Sequence, residues 1–369
     1  MSARLGPSPA VEPERSAKER DPNTERDRPE RERSERDRKA EHIQLALDPR
    51  MQWEANHFAE WSFEHRALPE IDFDSIDTSV EFLGKRLSAP LLVSCMTGGT
   101  AIAGDINRNL AAGAEAEGVA VGVGSQRKAL EDPAKADTFR VREVAPTVPL
   151  LANLGAVQLN YGVGLPECRR AVEMIGADAL VFHLNPLQEA IQPEGDRNFA
   201  GLLPKLGEVA RSLPVPVIAK EVGSGISGHV ARQLAAEGIR ILDTAGVGGT
   251  SWARIEAARA GDVALGELFA GWGVPTPVAI RQLAAIGGLT VIGSGGLRTG
   301  IDVAKALALG ADLAGMAYQF LEAATQSPER VAQRIRRLVQ ELKISMFCIG
   351  ARTIPELKAA TLLHRRPGT

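Results

Sequence analysis

Aromatic residues make up only 4% of this 369-residue chain, and cysteine occurs three times, as Cys95, Cys168 and Cys348. With hydrophobic residues at 44%, a core must be filled by Leu, Val, Ile and Ala, the composition of parallel strands covered on both faces. Three scattered cysteines without a CxxC pair argue against a disulfide framework or a zinc cluster and suit a reducing cytoplasm. No apolar run approaches the roughly 18–20 residues that cross a bilayer, and no apolar signal core stands at the N-terminus. The expected location is therefore the cytoplasm, with no membrane partner. Net charge is only −3, so no global excess of one sign points to nucleic acid.

Residues 1–37 differ from the rest. SAKERDPNTERDRPERERSERDRKA alternates Arg with Glu and Asp and holds almost no apolar residue. Such a segment buries too little surface to offset its ordering entropy and reads as a disordered leader. Apolar spacing begins at RKAEHIQLAL, from Arg38 to Leu47, where a helix is expected. Residues 38–88 then form an N-terminal segment packed on a main domain at 89–355, and 356–369 form a tail.

From Leu91 onward a short apolar run, a polar or glycine-rich tip and a helical stretch recur. The runs are LLVSCMTGG, VAVGVGS, PLLANLG, ALVFHLN, PVIAKEVG, IRILDTAGVGG, LTVIGSGG and DLAGMA. Eight strand-like runs with helical crossovers predict a parallel sheet, and eight is the number that closes a (β/α)8 barrel of about 250 residues. A doubly wound open sheet is the alternative. In both folds functional groups gather beyond the carboxyl ends of the strands.

Those tips carry groups that bind phosphate and polar rings. GSGGLRTG places Gly293, Gly295 and Gly296 before a helix expected to open at Ile301 or Asp302, so backbone N–H groups can approach an anion closely. Lys220 lies in an otherwise apolar strand, where a charge needs a partner. Glu221 or Asp243 would serve structurally, and an anionic cofactor would serve chemically. Cys95 reads as a small core residue, and His57, His65, His229 and His364 sit in no motif. One strand ends in HLNPLQEAIQPEGDR, which crowds histidine, carboxamides and acids into one loop.

In order along residues 38–350, RKAEH, MTGG, GSQR, ANLGA, HLNPLQEAIQPEGD, PVIAKEVGSGIS, DTAGVGGTSWARIE and GGLRTGIDVAKALALGAD resemble the type 2, flavin-dependent isopentenyl-diphosphate isomerases. The resemblance implies a (β/α)8 TIM barrel carrying FMN and a homo-oligomer, tetramer or octamer. Flavin contacts would fall on Met96, Thr97, Gly98, Ser125, Asn153, Lys220 and Thr250, and flavin phosphate contacts on Gly295, Gly296, Gly315 and Met316. The substrate diphosphate would meet Arg38, Lys39, Ser125, Gln126 and Arg127, with His42, His183 and Asn185 lining the same end. Gln188 would face the substrate, Glu189 would hold Mg²⁺, and Glu256 would lie near the isoprene tail. The later half of the loop, with Asp196 and Arg197, reads as solvated surface, and Gln192 and Glu194 stay between the two readings.

The reaction so implied is a 1,3-proton shift without net redox change. A positive charge develops on the protonated alkene and needs an electron-rich, preorganised neighbour. A reduced flavin would supply it, with NADPH needed only to reduce FMN beforehand. Gln188 is a poor acid and reads as an assistant, leaving His183 and Glu256 as candidate proton carriers. The rival is an FMN-dependent oxidoreductase of a hydroxy acid, but the later tips lack the His such a site uses. A barrel that stores flavin without chemistry is the non-enzyme alternative.

Overall fold

The computed structural model describes residues 41–364; the leader at 1–37, and with it Arg38 and Lys39, lies outside the described residues. The eight apolar runs are the eight strands of one closed parallel barrel. They are β1 (Leu91–Val93), β2 (Ala120–Gly122), β3 (Leu150–Gly155), β4 (Ala179–Leu184), β5 (Val217–Glu221), β6 (Ile241–Asp243), β7 (Thr290–Ser294) and β8 (Leu313–Met316). Strand β8 closes on β1 with Gly315 opposite Leu92, which rules out the open sheet.

Each strand serves two cores. Leu92, Leu151, Val181, Ile218, Ile292 and Leu313 meet inside the barrel, joined by Phe82 and Leu87. Those last two come from the antiparallel hairpin Val80–Phe82 and Lys85–Leu87, which plugs the base. The alternate residues, among them Leu91, Val93, Leu150, Leu180 and Phe182, pack outward against the helical shell. Burying one such Leu or Ile contributes about 2 kcal/mol.

The same period of two delivers the chemistry. Two residues beyond each interior apolar residue, the inward face becomes Ser94, Asn153, His183, Lys220, Ser294 and Gly315. Helix starts stay close to the mouth because Thr100, Ser227, Ser251 and Thr299 each accept a first-turn N–H. The helix after β7 opens at Gly300, earlier than expected, because Thr299 and Asp302 form a reciprocal capping box.

The N-terminal segment is helical over residues 41–47 and then straps across the mouth. Gln52 bridges Thr250, Trp53 N donates to Gly249 O at 2.8 Å, and Ser251 N donates to Met51 O at 2.8 Å. The expected tail is no tail in its described part. Helix Ile354–Lys358 runs across the boundary drawn at 355, and Leu362–His364 pairs with Trp61–Phe63. Among the described residues no helix is long and apolar enough to cross a membrane.

Candidate active site

The mouth holds a cavity of about 570 Å³ that adjoins a smaller polar one of about 130 Å³. His42, Ser125, His183 and Gln188 line both, so they are two lobes of one site.

Glycine turns form part of the wall of the large lobe. Gly295 and Gly296 have φ of +106° and +77°. A Cβ on Gly296 would stand 2.3 Å from the Gly248 carbonyl, so the loops after β6 and β7 meet there with no room for a side chain. Thr276 Oγ1 donates to Gly295 O at 2.7 Å and fixes that turn. Gly315 and Met316 face it from β8, and the short helix Tyr318–Ala324 begins there without a side-chain cap. Arg298 donates to Trp53 O at 2.6 Å, so the glycine turn also holds the strap.

Met96, Thr97, Ser125, Asn153, Lys220 and Thr250 also line this lobe. Lys220 is buried and donates to the Glu221 carbonyl at 2.6 Å, while the Glu221 carboxylate gathers the N–H groups of residues 222–225 at 2.5–3.1 Å. Burial raises the Asp243 carboxyl above its ordinary value, against the pull of Lys220 and a hydrogen bond from Ser294. Ser94 Oγ is buried in this lobe with no hydrogen-bond partner among the described residues. A ligand bearing a donor or acceptor would satisfy it.

The polar lobe is built from side chains. Proline at its first turn lets a helix start directly after β4, at Pro186–Ile191, and that helix presents Gln188 and Glu189. Asn185 Nδ2 donates to Glu189 Oε1 at 2.8 Å, and Asp196 N donates to Glu189 Oε2 at 2.7 Å. Burial nevertheless holds the Glu189 carboxyl above its ordinary value. Asn185 Oδ1 is buried without a hydrogen-bond partner among the described residues. His183 Nδ1 lies 2.8 Å from Asn153 Oδ1, which orients the ring.

At the junction of the lobes Glu256 is fully buried. Gln188 Nε2 donates to its Oε1 at 2.8 Å, His42 Nε2 stands 3.1 Å from the same oxygen, and Arg259 donates to Oε2 at 2.7 Å. Burial pushes the Glu256 carboxyl up, but His42, Gln188 and Arg259 together outweigh it and hold the group below the usual value. It is therefore a carboxylate at neutral pH.

The expected site residues differ in where they stand. Gln126 is not at the cavity: it is wholly buried, with Nε2 on Ala171 O at 2.8 Å and Oε1 on Asn153 N at 3.0 Å. It braces β3 beneath the site, so a direct substrate contact is corrected to support of Asn153. Gly98 likewise does not line the cavity, and a Cβ there would stand 1.9 Å from the Phe139 ring. Cys95, read as core, packs against the inner core of the barrel and also lines the cavity; burial pushes its thiol up to about 11, too high for a ready thiolate. Asp196, read as a surface charge, lines the polar lobe. It receives Arg127 at 3.0 Å and Gln158 at 2.9 Å. Gln192 and Glu194 line the same lobe. Arg259 and Gln158 were missed, since neither sits at a motif position.

A closed barrel whose later tips form a glycine-walled lobe has the architecture of the (β/α)8 barrels that bind a phosphate group at that end. The family described as FMN-dependent dehydrogenase matches residues 36–146 and 204–364. A solved lactate oxidase (putative) from Pediococcus acidilactici shares the fold with a TM-score of 0.65 at 17% identity, covering 90% of this chain and 94% of that one. A relative from Nostoc sp. strain PCC 7120, named isopentenyl-diphosphate delta-isomerase, is 51% identical over 334 residues, 89% of this chain and 95% of its own. One of the same name from Rickettsia felis is 48% identical over 88% of this chain and 96% of its own. The chain belongs to the isopentenyl-diphosphate delta-isomerase family, in its FMN-dependent type 2 form.

Proposed function

We propose that the chain interconverts isopentenyl diphosphate and dimethylallyl diphosphate in isoprenoid biosynthesis, with FMN in the glycine-walled lobe and the substrate diphosphate in the polar lobe. One observation carries the reading: the two lobes share His42, Ser125, His183 and Gln188. A substrate gripped by its diphosphate in one lobe therefore meets a flavin in the other. A second favours isomerase over hydroxy-acid oxidoreductase. The dehydrogenase match breaks over residues 147–203, the stretch that supplies Asn153, His183, Asn185, Gln188 and Glu189.

The residues fit FMN. The glycine turns leave backbone room for a phosphate, Ser94 Oγ lacks a partner among the described residues, and the Lys220 ammonium favours an anionic ring. When bound and reduced, FMN supplies an electron-rich face for the positive charge that develops on the alkene. NADPH enters only as a reductant. The residues also fit Mg²⁺ shared with substrate. Glu189 and Asn185 Oδ1 offer oxygen ligands, and Mg²⁺ commonly takes one or two carboxylates and completes its shell with phosphate and water. Charge argues the same way. Arg127 and Lys128 face Glu189, Glu194 and Asp196 in the polar lobe, and both cations already hold carboxylates. A diphosphate needs further positive charge there, which a divalent cation and Arg38 and Lys39, just upstream of the strap, would bring.

The chain's own part is to orient and to handle protons. Gln188 is pinned between Asn185, whose Nδ2 lies 3.2 Å from its Oε1, and the Glu256 carboxylate. Its amide therefore presents a fixed face to the substrate. Glu256, held ionised, is the base through which a proton can leave by way of Gln188 or His42. His183, oriented by Asn153, is the second proton carrier. A cytoplasmic homo-oligomer, tetramer or octamer, completes the reading.

The test is anaerobic turnover of isopentenyl diphosphate with Mg²⁺, with and without dithionite or NADPH. Dimethylallyl diphosphate should form only once the yellow protein is reduced. Undiminished turnover by demonstrably FMN-free protein would sink the proposal, and a yellow protein inactive on this substrate would favour the oxidoreductase.

A further inference from the structure

We infer that Arg259 is a positioning residue, a clasp that fixes Glu256 against Gln188 and also holds the carboxylates of Glu41 and Glu194. Its guanidinium divides three donors among three carboxylates: NH1 to Glu256 Oε2 at 2.7 Å, Nε to Glu41 Oε2 at 3.1 Å and NH2 to Glu194 Oε1 at 3.1 Å. The partners come from the helix Trp252–Ala260, the N-terminal helical turn and the loop after β4. Arg259 and Glu256 sit on one helix face at i, i+3 spacing.

Exposure separates the partners. Arg259 is 12% exposed and Glu256 not at all, whereas Glu41 and Glu194 are 53% and 46% exposed. A surface ion pair holds little, but a buried carboxylate that loses its cation is left uncompensated. The clasp therefore acts inward on Glu256 and, more weakly, outward on the strap. Lysine cannot replace it fully, because a single ammonium lacks the planar fork that serves three acceptors in fixed directions.

Other titratable and charged groups pack around the clasp. His42 faces Glu256 from the N-terminal helix. Glu189 in the helix Pro186–Ile191 points instead to Asn185 and Asp196 N. Glu267 in the helix Val263–Phe269 is bound by Arg254, and Arg50 in the turn before the strap pairs with Asp48.

The inference rests on the reading of Glu256 as the carboxylate beside the substrate, and the experiment separates the two. Reduced holoenzyme is assayed anaerobically as wild type, Arg259→Gln, Arg259→Lys, Glu256→Gln and the Arg259→Gln/Glu256→Gln double variant, with flavin absorbance recorded for each. A positioned acid–base group is worth about 10²–10⁴-fold, so Glu256→Gln should lose at least about 100-fold in kcat and Arg259→Gln about 10- to 100-fold, both still yellow. In the Glu256→Gln background, Arg259→Gln should cost less than about threefold more, because residues acting as a unit are not additive. Arg259→Lys should recover part of kcat yet keep a raised KM, since the strap contacts stay broken. Wild-type kcat in Glu256→Gln would remove the reading of Glu256 and the clasp with it. An impaired Glu256→Gln beside an unimpaired Arg259→Gln, or losses that multiply in the double variant, overturn the clasp alone. Should Arg259→Gln fail to fold, Arg259→Lys decides: unchanged kcat and KM overturn the inference.

Discussion

The two lobes of the mouth, each proposed to bind an anion, are built from opposite materials. The glycine-walled lobe uses backbone: φ of +106° and +77° at Gly295 and Gly296, with loop meeting loop where no Cβ fits. The polar lobe uses side chains that hold one another, with Glu189, Asn185, Asp196, Arg127 and Gln158 in one network. Backbone donors are fixed by the fold and cannot retitrate, which suits a resident cofactor. Side-chain networks can change partners, which suits a substrate and a metal that come and go. The contrast predicts that damage to the first lobe is all-or-none and damage to the second graded.

The largest effect should follow Gly296→Ala. The new Cβ would stand 2.3 Å from the Gly248 carbonyl at a φ of +77°, so the two loops must part. The purified protein should be colourless and lose on the order of 1,000-fold in turnover, read by visible absorbance and activity together. A yellow, active variant would break the claim that backbone makes this lobe. Next in size, Glu189→Gln should keep its flavin yet lose about 100-fold at low Mg²⁺ and regain part of it as Mg²⁺ rises, in line with metal-site changes. Titration of rate against Mg²⁺ checks this, and no change in the Mg²⁺ dependence would remove Glu189 from the metal.

A smaller loss belongs to Asp196→Asn. Arg127 and Gln158 both lean on this carboxylate, so the variant should raise KM about 10-fold with kcat nearly unchanged, as for loss of about one charge-assisted hydrogen bond. A fall in kcat with KM unchanged would place Asp196 with Glu256 and blur the two lobes.

The smallest effect lies away from the mouth, at the base. There Asp178 accepts Lys85 Nζ at 2.8 Å, Arg142 at 2.7 Å and Leu150 N at 2.8 Å. Burial pushes its carboxyl up, but Lys85, the Leu150 N–H and Arg142 outweigh burial and hold it below its ordinary 3.8. A lowered native value stabilises the fold above about that ordinary value, and the contribution disappears as pH falls through the native one. Asp178→Asn should therefore lower Tm by about 2 °C at pH 7, for a loss of about 1 kcal/mol in a partly screened cluster. That difference should shrink below pH 4, the ordinary value being 3.8, and kcat should not move. Thermal melts across pH test it, and a constant difference from pH 7 to pH 3 would refute the linkage.

Much of this was legible because period and position coincide. Apolar runs such as PLLANLG and ALVFHLN end in their own chemistry, and a parallel strand carries residue i+2 to the same face as residue i. Asn153, His183 and Lys220 were therefore readable as mouth residues from the runs alone. Gln126 was misread because a tip residue can turn inward: its amide lies wholly buried against Ala171 and Asn153. Asp196 was misread for the opposite reason. It lies in a polar stretch that looks solvated until Arg127 and Gln158, 69 and 38 residues upstream, arrive beside it.

The sequence by itself determined the eight strands, their helical crossovers and the end at which chemistry collects, because those follow from local periodicity and from where polar residues interrupt it; the closure of β8 on β1 was decided by the tertiary structure. Only the tertiary structure decided which way burial and neighbours shift each carboxylate and which side chains hold which. Glu256 stays ionised because His42, Gln188 and Arg259 converge on it from three segments. The strap lies across the mouth because Met51 and Trp53 find Ser251 and Gly249 about 200 residues further on. Such contacts depend on distances that exist only once the barrel has closed, and no spacing along the chain encodes them.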